Sequence, residues 1–498
     1  MFEPNSFYWT IFGPSFYHKG SGLMPDDFNT AQALNRLTSC REAHRVGYCE
    51  KLFRMQRQAI RSPQIQAIYD LLRETYRWDL ENYRGKYEEM EAHYQDAHKM
   101  KKLRIQARNE LLFFGTVADP CYVQEIQATF KIEICKPNKY GRLYANLGIY
   151  SSLQGATLTS MLKEVLAANV INVHGGTIIF VKSPSTQKLR QAFHHLIDPP
   201  GRFYAVVFSD DSCLSVRTAT GVQRFNLDIS SCDLSHGAVM FEQFIKLMPA
   251  WLQEEVDLLV EQCRQNVVVR SRANPKNKVI LHPVDPFLPS GSVLTTIFNT
   301  INVMIIISHI MSVEFLGGDT IIQQSEQVGY IMTVEDASAH IEQLQFLKHS
   351  PCMDADGEYQ PLLNLGVILR ASGRCQRDLP GSGAIEQRAR AFQAALLQGA
   401  YPYVAFPFID NMKIAVDCKI PSSIWKHPSL VDLTMKVESD EKDILFFSNE
   451  DVFRRYNLSD YEIELLSIEI ASLNVGERAG NSGVDKIMKI DYAYEPVF

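Results

Sequence analysis

Residues 204–216 read YAVVFSDDSCLSV. Apolar residues run into Ser209-Asp210-Asp211-Ser212, and a second apolar stretch runs out. Two short β-strands joined at a tight turn give this pattern. Adjacent carboxylates at the tip repel each other. Asp is a common turn residue, so a solvated surface hairpin is one reading. The other is a hairpin that faces a doubly positive partner. The pair alone does not decide between them.

The next segment adds weight. FNLDISSCDLSHG (225–237) is an apolar strand that ends at Asp228 and passes Cys232 to Asp233. If the two strand ends lie side by side, Asp210, Asp211 and Asp228 cluster. Such a cluster is tolerable only with divalent cations. Mg²⁺ takes a few carboxylates together with phosphate oxygens and water. Two such ions about 3.5–4 Å apart can activate a 3′-hydroxyl and stabilise a leaving pyrophosphate.

Two further segments point the same way. LPSGSVLTTIFNTIN (288–302) places Ser290-Gly291 ahead of a helix. These small residues let backbone approach a ligand. Thr295 and Asn299 stand four apart on one face of that apolar helix. They need partners, either within the protein or on a sugar. In a predicted hairpin over 123–148, Lys131, Lys136, Lys139 and Arg142 fall within twelve residues. Clustered cations suit a triphosphate, although an exposed basic hairpin has the same look.

As a set these residues resemble the motifs of viral RNA-dependent RNA polymerases. Asp228 and Asp233 fit motif A, D-x4-D. Ser290, Gly291, Thr295 and Asn299 fit every specified position of motif B, SGxxxTxxxN. FSDDS (208–212) fits the acidic hairpin of motif C. The basic hairpin resembles motif F, GYIMTVED (329–336) motif D, and QFLKH (345–349) motif E. The resemblance covers about residues 125–350. Its order is F, C, A, B, D, E, with motif C ahead of A. That is similar to the permuted palm of permutotetraviruses and birnaviruses. Those families generally carry Asp-Asn at the motif C tip, so Asp-Asp is a departure. Many relatives also have a motif D lysine, where this chain has Glu335-Asp336-Ala337. A rival motif C in the usual order is EFLGGDTII (314–322), with the single acid Asp319. Too few residues separate it from GYIMT for a full hairpin plus helix.

The resemblance implies an α+β, right-hand polymerase with a permuted palm. Fingers would span 1–200 with 240–286, the palm 201–239 with 287–351, and the thumb 352–498. Asp210 and Asp228, with Asp211 assisting, would hold two Mg²⁺ or Mn²⁺ ions. Asp233 and Asn299 would sense the ribose 2′-hydroxyl, which speaks against a reverse transcriptase. Ser290 and Gly291 would flex as template and nucleotide enter. Arg142, Lys131, Lys136 and Lys139 would grip the NTP. A strand carrying Phe346, Leu347 and Lys348 would support the primer. Template RNA, nascent RNA and NTPs are the implied partners, with capsid or other viral proteins besides. The alternative is an inactive, RNA-binding or structural viral protein that keeps the polymerase fold.

Bulk properties agree with a large globular chain: 498 residues, 46% hydrophobic, 21% charged, net charge −7. That charge excludes a surface coated in basic patches but not an internal nucleic-acid channel. Ten cysteines include no CxxC pair, so neither a zinc site nor a disulfide framework is expected. The start, MFEPNSFYWTIFGPSF, has no signal-peptide pattern. INVMIIISHIMSVEFL (301–316) is too short for a bilayer and reads as a buried helix. The expected location is host cytoplasm or the virion interior.

The remaining segments predict helices over about 65–112, 156–169, 186–196 and 240–268. Strands are predicted at 176–181, 329–336 and 343–349. GGDT (317–320) should break the long apolar helix and start another, with Asp319 or Thr320 accepting backbone N–H bonds. From 352 onward helices and loops are expected.

Overall fold

The computed structural model describes residues 46–82, 84–85, 125–130, 143–182, 185–270, 278–281, 283, 285–354, 356–372, 449–472 and 482–492. Lys131, Lys136, Lys139 and Arg142, and the part of the predicted 65–112 helix beyond residue 85, lie outside them.

The described residues open with two helices, α1 (Val46–Ile60) and α2 (Pro63–Asn82). A hairpin, β1 (Ile126–Phe130) and β2 (Leu143–Asn146), leads into α3 (Ile149–Ala168). A second hairpin, β3 (Ile171–Val173) and β4 (Gly176–Phe180), is followed by α4 (Thr186–Ile197). Then come β5 (Phe203–Phe208), β6 (Asp211–Thr218) and β7 (Gly221–Ile229). Three helices follow: α5 (Cys232–Ser235), α6 (Ala238–Leu247) and α7 (Ala250–Gln262). Strands β8 (Val267–Arg270) and β9 (Lys278–Leu281) precede the helices α8 (Thr295–Ile310) and α9 (Gly318–Gln327). The chain continues through β10 (Met332–Asp336), a 3₁₀ turn (Ile341–Gln343), and the hairpin β11 (His349–Met353) and β12 (Tyr359–Leu363). Last are α10 (Leu365–Ser372), α11 (Asn449–Tyr456), α12 (Asp460–Ser472) and α13 (Ser482–Tyr492). The protein is α+β.

The central sheet has six strands in the order β10-β7-β6-β5-β4-β3. Every pairing is antiparallel except β4 with β5, which α4 connects in sequence. Strands β3 and β4, which precede residue 200, belong to this sheet with β5 to β7 and β10. Strand β5 explains the unbroken apolar run FYAVVF. Phe203, Ala205 and Val207 enter the large core shared with α2, α3, α6, α7 and α8. Tyr204 and Val206 enter a second core with Leu189, Ala192, Phe193 and Leu196 of α4. A strand covered on both faces has no polar face, so period-two alternation is lost. The second sheet, β2-β1-β8-β9, has its own small core around Ile126, Ala128, Val267 and Val269.

Helix α8 is buried from Ile297 through Ile310. A helix apolar on all sides is expected inside a core or a membrane. Here it lies against β5 and α2, and Tyr76 OH donates to Met304 Sδ at 3.7 Å. Among the described residues, no helix is long and apolar enough to cross a membrane.

Three sequence expectations change. The helical stretch 240–268 is two helices broken at Met248-Pro249, and residues 267–268 already belong to β8. The strand expected at 343–349 is the end of the 3₁₀ turn plus a tight reversal. Phe346 pairs with His349 across Leu347 and Lys348, whose φ angles are 51° and 61°. Buried Leu344 and Phe346 mimic strand alternation there. The tail contains a hairpin, β11–β12, where only helices and loops were expected.

Candidate active site

The acidic hairpin has a two-residue tip. Phe208 pairs with Asp211, leaving Ser209-Asp210 as the turn. Ser209 has φ 59°, in the left-handed region that non-glycine residues seldom adopt. Helix α8 holds it there: Thr300 Oγ1 accepts the Ser209 N–H at 2.9 Å. Asp210 is exposed and Asp211 half-buried.

Strands β6 and β7 pair with Ser212 opposite Leu227. One step further along that register, Asp211 comes opposite Asp228. Asp228 is exposed and faces Thr333 of β10 on its other side. Three acids thus share one end of the sheet. Burial pushes the Asp211 carboxyl up to about 6, and the charges of Asp210 and Asp228 push it the same way. Lys348 and the Leu347 N–H, which donates to Asp211 Oδ2 at 2.9 Å, pull against them.

Among the described residues no group of three or more His, Cys, Asp and Glu is set to hold a metal ion. Asp211 has one oxygen engaged with Leu347. Asp210, in the turn, and Asp228, on β7, are exposed carboxylates. That donor set fits Mg²⁺ or Mn²⁺ shared with a phosphorylated substrate and does not fit a closed protein cage.

Beyond Asp228 the chain turns sharply at Ser231, φ 53°, into the one-turn helix α5. This turn carries Asp233 back over the sheet end, where Asn299 of α8 donates to Asp233 Oδ1 at 2.9 Å. The same amide nitrogen lies 3.4 Å from Ser209 Oγ. Asn299 therefore links the tip of one predicted motif to the second acid of another. Behind it stand His236 and Tyr330, which the sequence reading did not single out. His236 Nε2 is 2.9 Å from Asn299 Oδ1, and His236 Nδ1 is 2.9 Å from Tyr330 OH. Burial pulls the His236 imidazole down to about 4. Gln56 of α1 was also missed. It donates to Ser235 O at 2.7 Å and Gly329 O at 3.0 Å and accepts from Gly237 N at 2.9 Å. No local signal marks these residues, because their partners are far away in sequence.

The Ser290-Gly291 loop sits against β2. Ala145 N–H donates to Ser290 O at 2.7 Å. Gly291 has φ 106°, and a Cβ there would lie 2.6 Å from Ala145 O. Thr295 Oγ1 donates to Pro289 O at 3.4 Å, closing the loop onto the helix start. The β1–β2 pair is thereby joined to the loop ahead of α8.

Phe346 is fully buried under the sheet. Lys348 Nζ donates to Asp491 O at 2.9 Å and lies 5.0 Å from the Tyr492 ring centroid. Asp319, the rival acid, opens α9. Its neighbours Gly317 and Gly318 face Gln223, Phe225 and Val334. Gln223 is toward the far end of β7, on the order of 16 Å from Asp228 at about 3.3 Å per residue.

No protein-family profile matches the chain, and no curated protein sequence matches it. Among solved structures it is similar to a birnavirus VP1–VP3 complex, with 9% identity over 78% of this chain and 66% of the other, TM-score 0.42. It is similar to the RNA polymerase VP1 of infectious pancreatic necrosis virus, with 10% identity over 79% of this chain and 55% of the other, TM-score 0.41. It is also similar to the RNA-dependent RNA polymerase of bacteriophage phi12, with 12% identity over 73% and 57%, TM-score 0.34. The chain spans less than two thirds of the length of each of these structures.

Proposed function

We propose that this chain is an RNA-directed RNA polymerase that copies a viral RNA genome, with its palm motifs in the order C, A, B. The observation that carries the reading is one sheet end where Asp210, Asp211 and Asp228 meet, with Asn299 bonded to Asp233 beside them. Asp210 and Asp228, assisted by Asp211, would hold two Mg²⁺ or Mn²⁺ ions. Bound there, the ions would supply charge stabilisation for the attacking and leaving oxygens.

The protein's own groups do the rest. The Asp233–Asn299 pair presents a polar edge suited to a ribose 2′-hydroxyl. Gly291 keeps the loop ahead of α8 free of a side chain where template and nucleotide enter. Lys131, Lys136, Lys139 and Arg142, which lie between β1 and β2 in sequence, would grip the triphosphate. The Phe346–Lys348 turn would support the primer end, tied to the acids through Asp211. Lys348 is held by α13, which leaves a cation of the basic hairpin, or water, to protonate pyrophosphate. Template, nascent RNA and NTPs are the proposed ligands and capsid or other viral proteins the proposed partners, in host cytoplasm or within the virion. The right-hand division into fingers, palm and thumb belongs to the same proposal.

The test is NTP incorporation by purified protein on a primed RNA template with Mg²⁺ or Mn²⁺. Asp210→Ala and Asp228→Ala should each lower the rate by at least about 10³-fold. Protein that incorporates nothing, with both variants indistinguishable from it in every property, would overturn the reading.

A further inference from the structure

We infer that His236 and Tyr330 form a positioning relay that orients the Asn299 amide toward Asp233 and thereby sets selection for the ribose 2′-hydroxyl. The inference rests on the polymerase reading and adds to it a part for His236, outside the motifs, and for Tyr330, at the start of the stretch that resembles motif D.

The hydrogen-bond directions follow from what each group can do. A carboxylate only accepts, so at 2.9 Å from Asp233 Oδ1 it is the Asn299 nitrogen that donates. The Asn299 oxygen must then face His236, where it needs a donor, and Nε2–H supplies it. His236 is buried and neutral, so it carries one ring proton. With that proton on Nε2, Nδ1 accepts, and Tyr330 O–H donates to it at 2.9 Å. Asn302 Oδ1, at 3.4 Å, is the longer alternative for the Tyr330 hydroxyl. Tyr330, His236, Asn299 and Asp233 form one directed chain.

The competing arrangement is worse. Cys232 Sγ lies 3.8 Å from His236 Nε2 and could donate to it if the imidazole proton moved to Nδ1. Asn299 would then have to turn its nitrogen to His236 and its oxygen to the Asp233 carboxylate. Two acceptors would face each other at hydrogen-bond distance. The imidazole plane is fixed as well. Phe298 meets it edge-on with centroids 4.7 Å apart, and Gln56 bonds both Ser235 and Gly237, the residues flanking His236.

The experiment compares incorporation of one ribonucleotide and its 2′-deoxy analogue on the same RNA primer–template. His236→Phe keeps an aromatic ring against Phe298 and removes Nε2–H, freeing the Asn299 amide to flip. Ribonucleotide incorporation should fall much further than deoxyribonucleotide incorporation, lowering the discrimination ratio about tenfold. His236→Gln, which can again donate to Asn299, should restore most of the ratio. In an Asn299→Ala background His236→Phe should lower the ratio no further. Should His236→Phe not fold, Tyr330→Phe carries the same test, since it removes only the hydroxyl that fixes the tautomer. Nitrogen-15 NMR of the full chain should show His236 protonated at Nε2, with mixed tautomers in Tyr330→Phe. A ratio unchanged while both rates fall together, or an Nδ1–H tautomer in the unmodified protein, overturns the relay. Failure of the polymerase reading shows separately, as unmodified protein that incorporates neither sugar, and the selectivity role falls with it.

Discussion

At the scale of single residues, the site depends on groups whose state is set by their neighbours. His236 gives a pH dependence whose sign is fixed. Its folded value, about 4, lies below the ordinary 6.5. Stabilisation is therefore complete above the unfolded value and is lost as pH falls from 6.5 toward 4, where the unfolded chain takes up a proton and the fold does not. The gap corresponds to about 3 kcal/mol. Tyr330 and Cys232, the titratable groups facing His236, stay neutral because burial lifts both. Asp233 is linked to it through Asn299. Urea unfolding at pH 7 and pH 4.5 should show this loss in the unmodified protein and a flatter dependence in His236→Gln. Gly291 is a second case. With φ 106° and backbone 2.6 Å from any added Cβ, Gly291→Ala should destabilise by about 1–3 kcal/mol, read by the same unfolding.

At the scale of elements, helix ends separate the two candidate acidic motifs. Helix α9 starts at Gly318 behind Gly317 at φ 117°, and Thr320 Oγ1 accepts the Leu316 N–H at 3.0 Å. Asp319 thus belongs to a helix start and not to a hairpin tip. Asp319→Ala should leave nucleotide incorporation within about twofold of normal. Helix α8 ends on Arg202, which donates to Met311 O and Val313 O, both at 2.9 Å. Arg202→Ala should lower the unfolding free energy by about 1 kcal/mol, measured by thermal or urea denaturation. What was legible in the sequence was local. The β5–β6 turn, the end of β7 at Asp228 and the start of α8 all announce themselves through apolar runs and turn residues. The β11–β12 hairpin did not, because Pro351 and Pro361 argue against strands. Among the described residues this sheet has two strands, and the prolines pair opposite each other. The parallel pairing of β4 with β5 and the His236–Tyr330 bond join distant segments, and no period or spacing encodes either.

At the scale of the molecule, one buried polar cluster fastens the last helices to the site. Asp491 of α13 pairs with Arg455 of α11 at 2.9 Å, and both are buried. Its second oxygen accepts from Tyr456 OH at 2.9 Å and Gly366 N at 2.8 Å. Arg455 also donates to Glu342 O and Gln345 Oε1, just before the Phe346–Lys348 turn. Removing one partner leaves an uncompensated buried charge, so Asp491→Ala should cost about 3–5 kcal/mol in urea unfolding. The order of strands along the chain has its own consequence, for folding kinetics. Strands β5, β6 and β7 are consecutive and joined by two-residue turns, so their contacts are nearly all local. Local pairing incurs little loop-closure entropy and forms early. The three acids are therefore brought together by a meander that is complete at residue 229, before β10, Leu347 or Lys348 have been synthesised. This order along the chain makes a self-repelling part of the protein one of the first it can build.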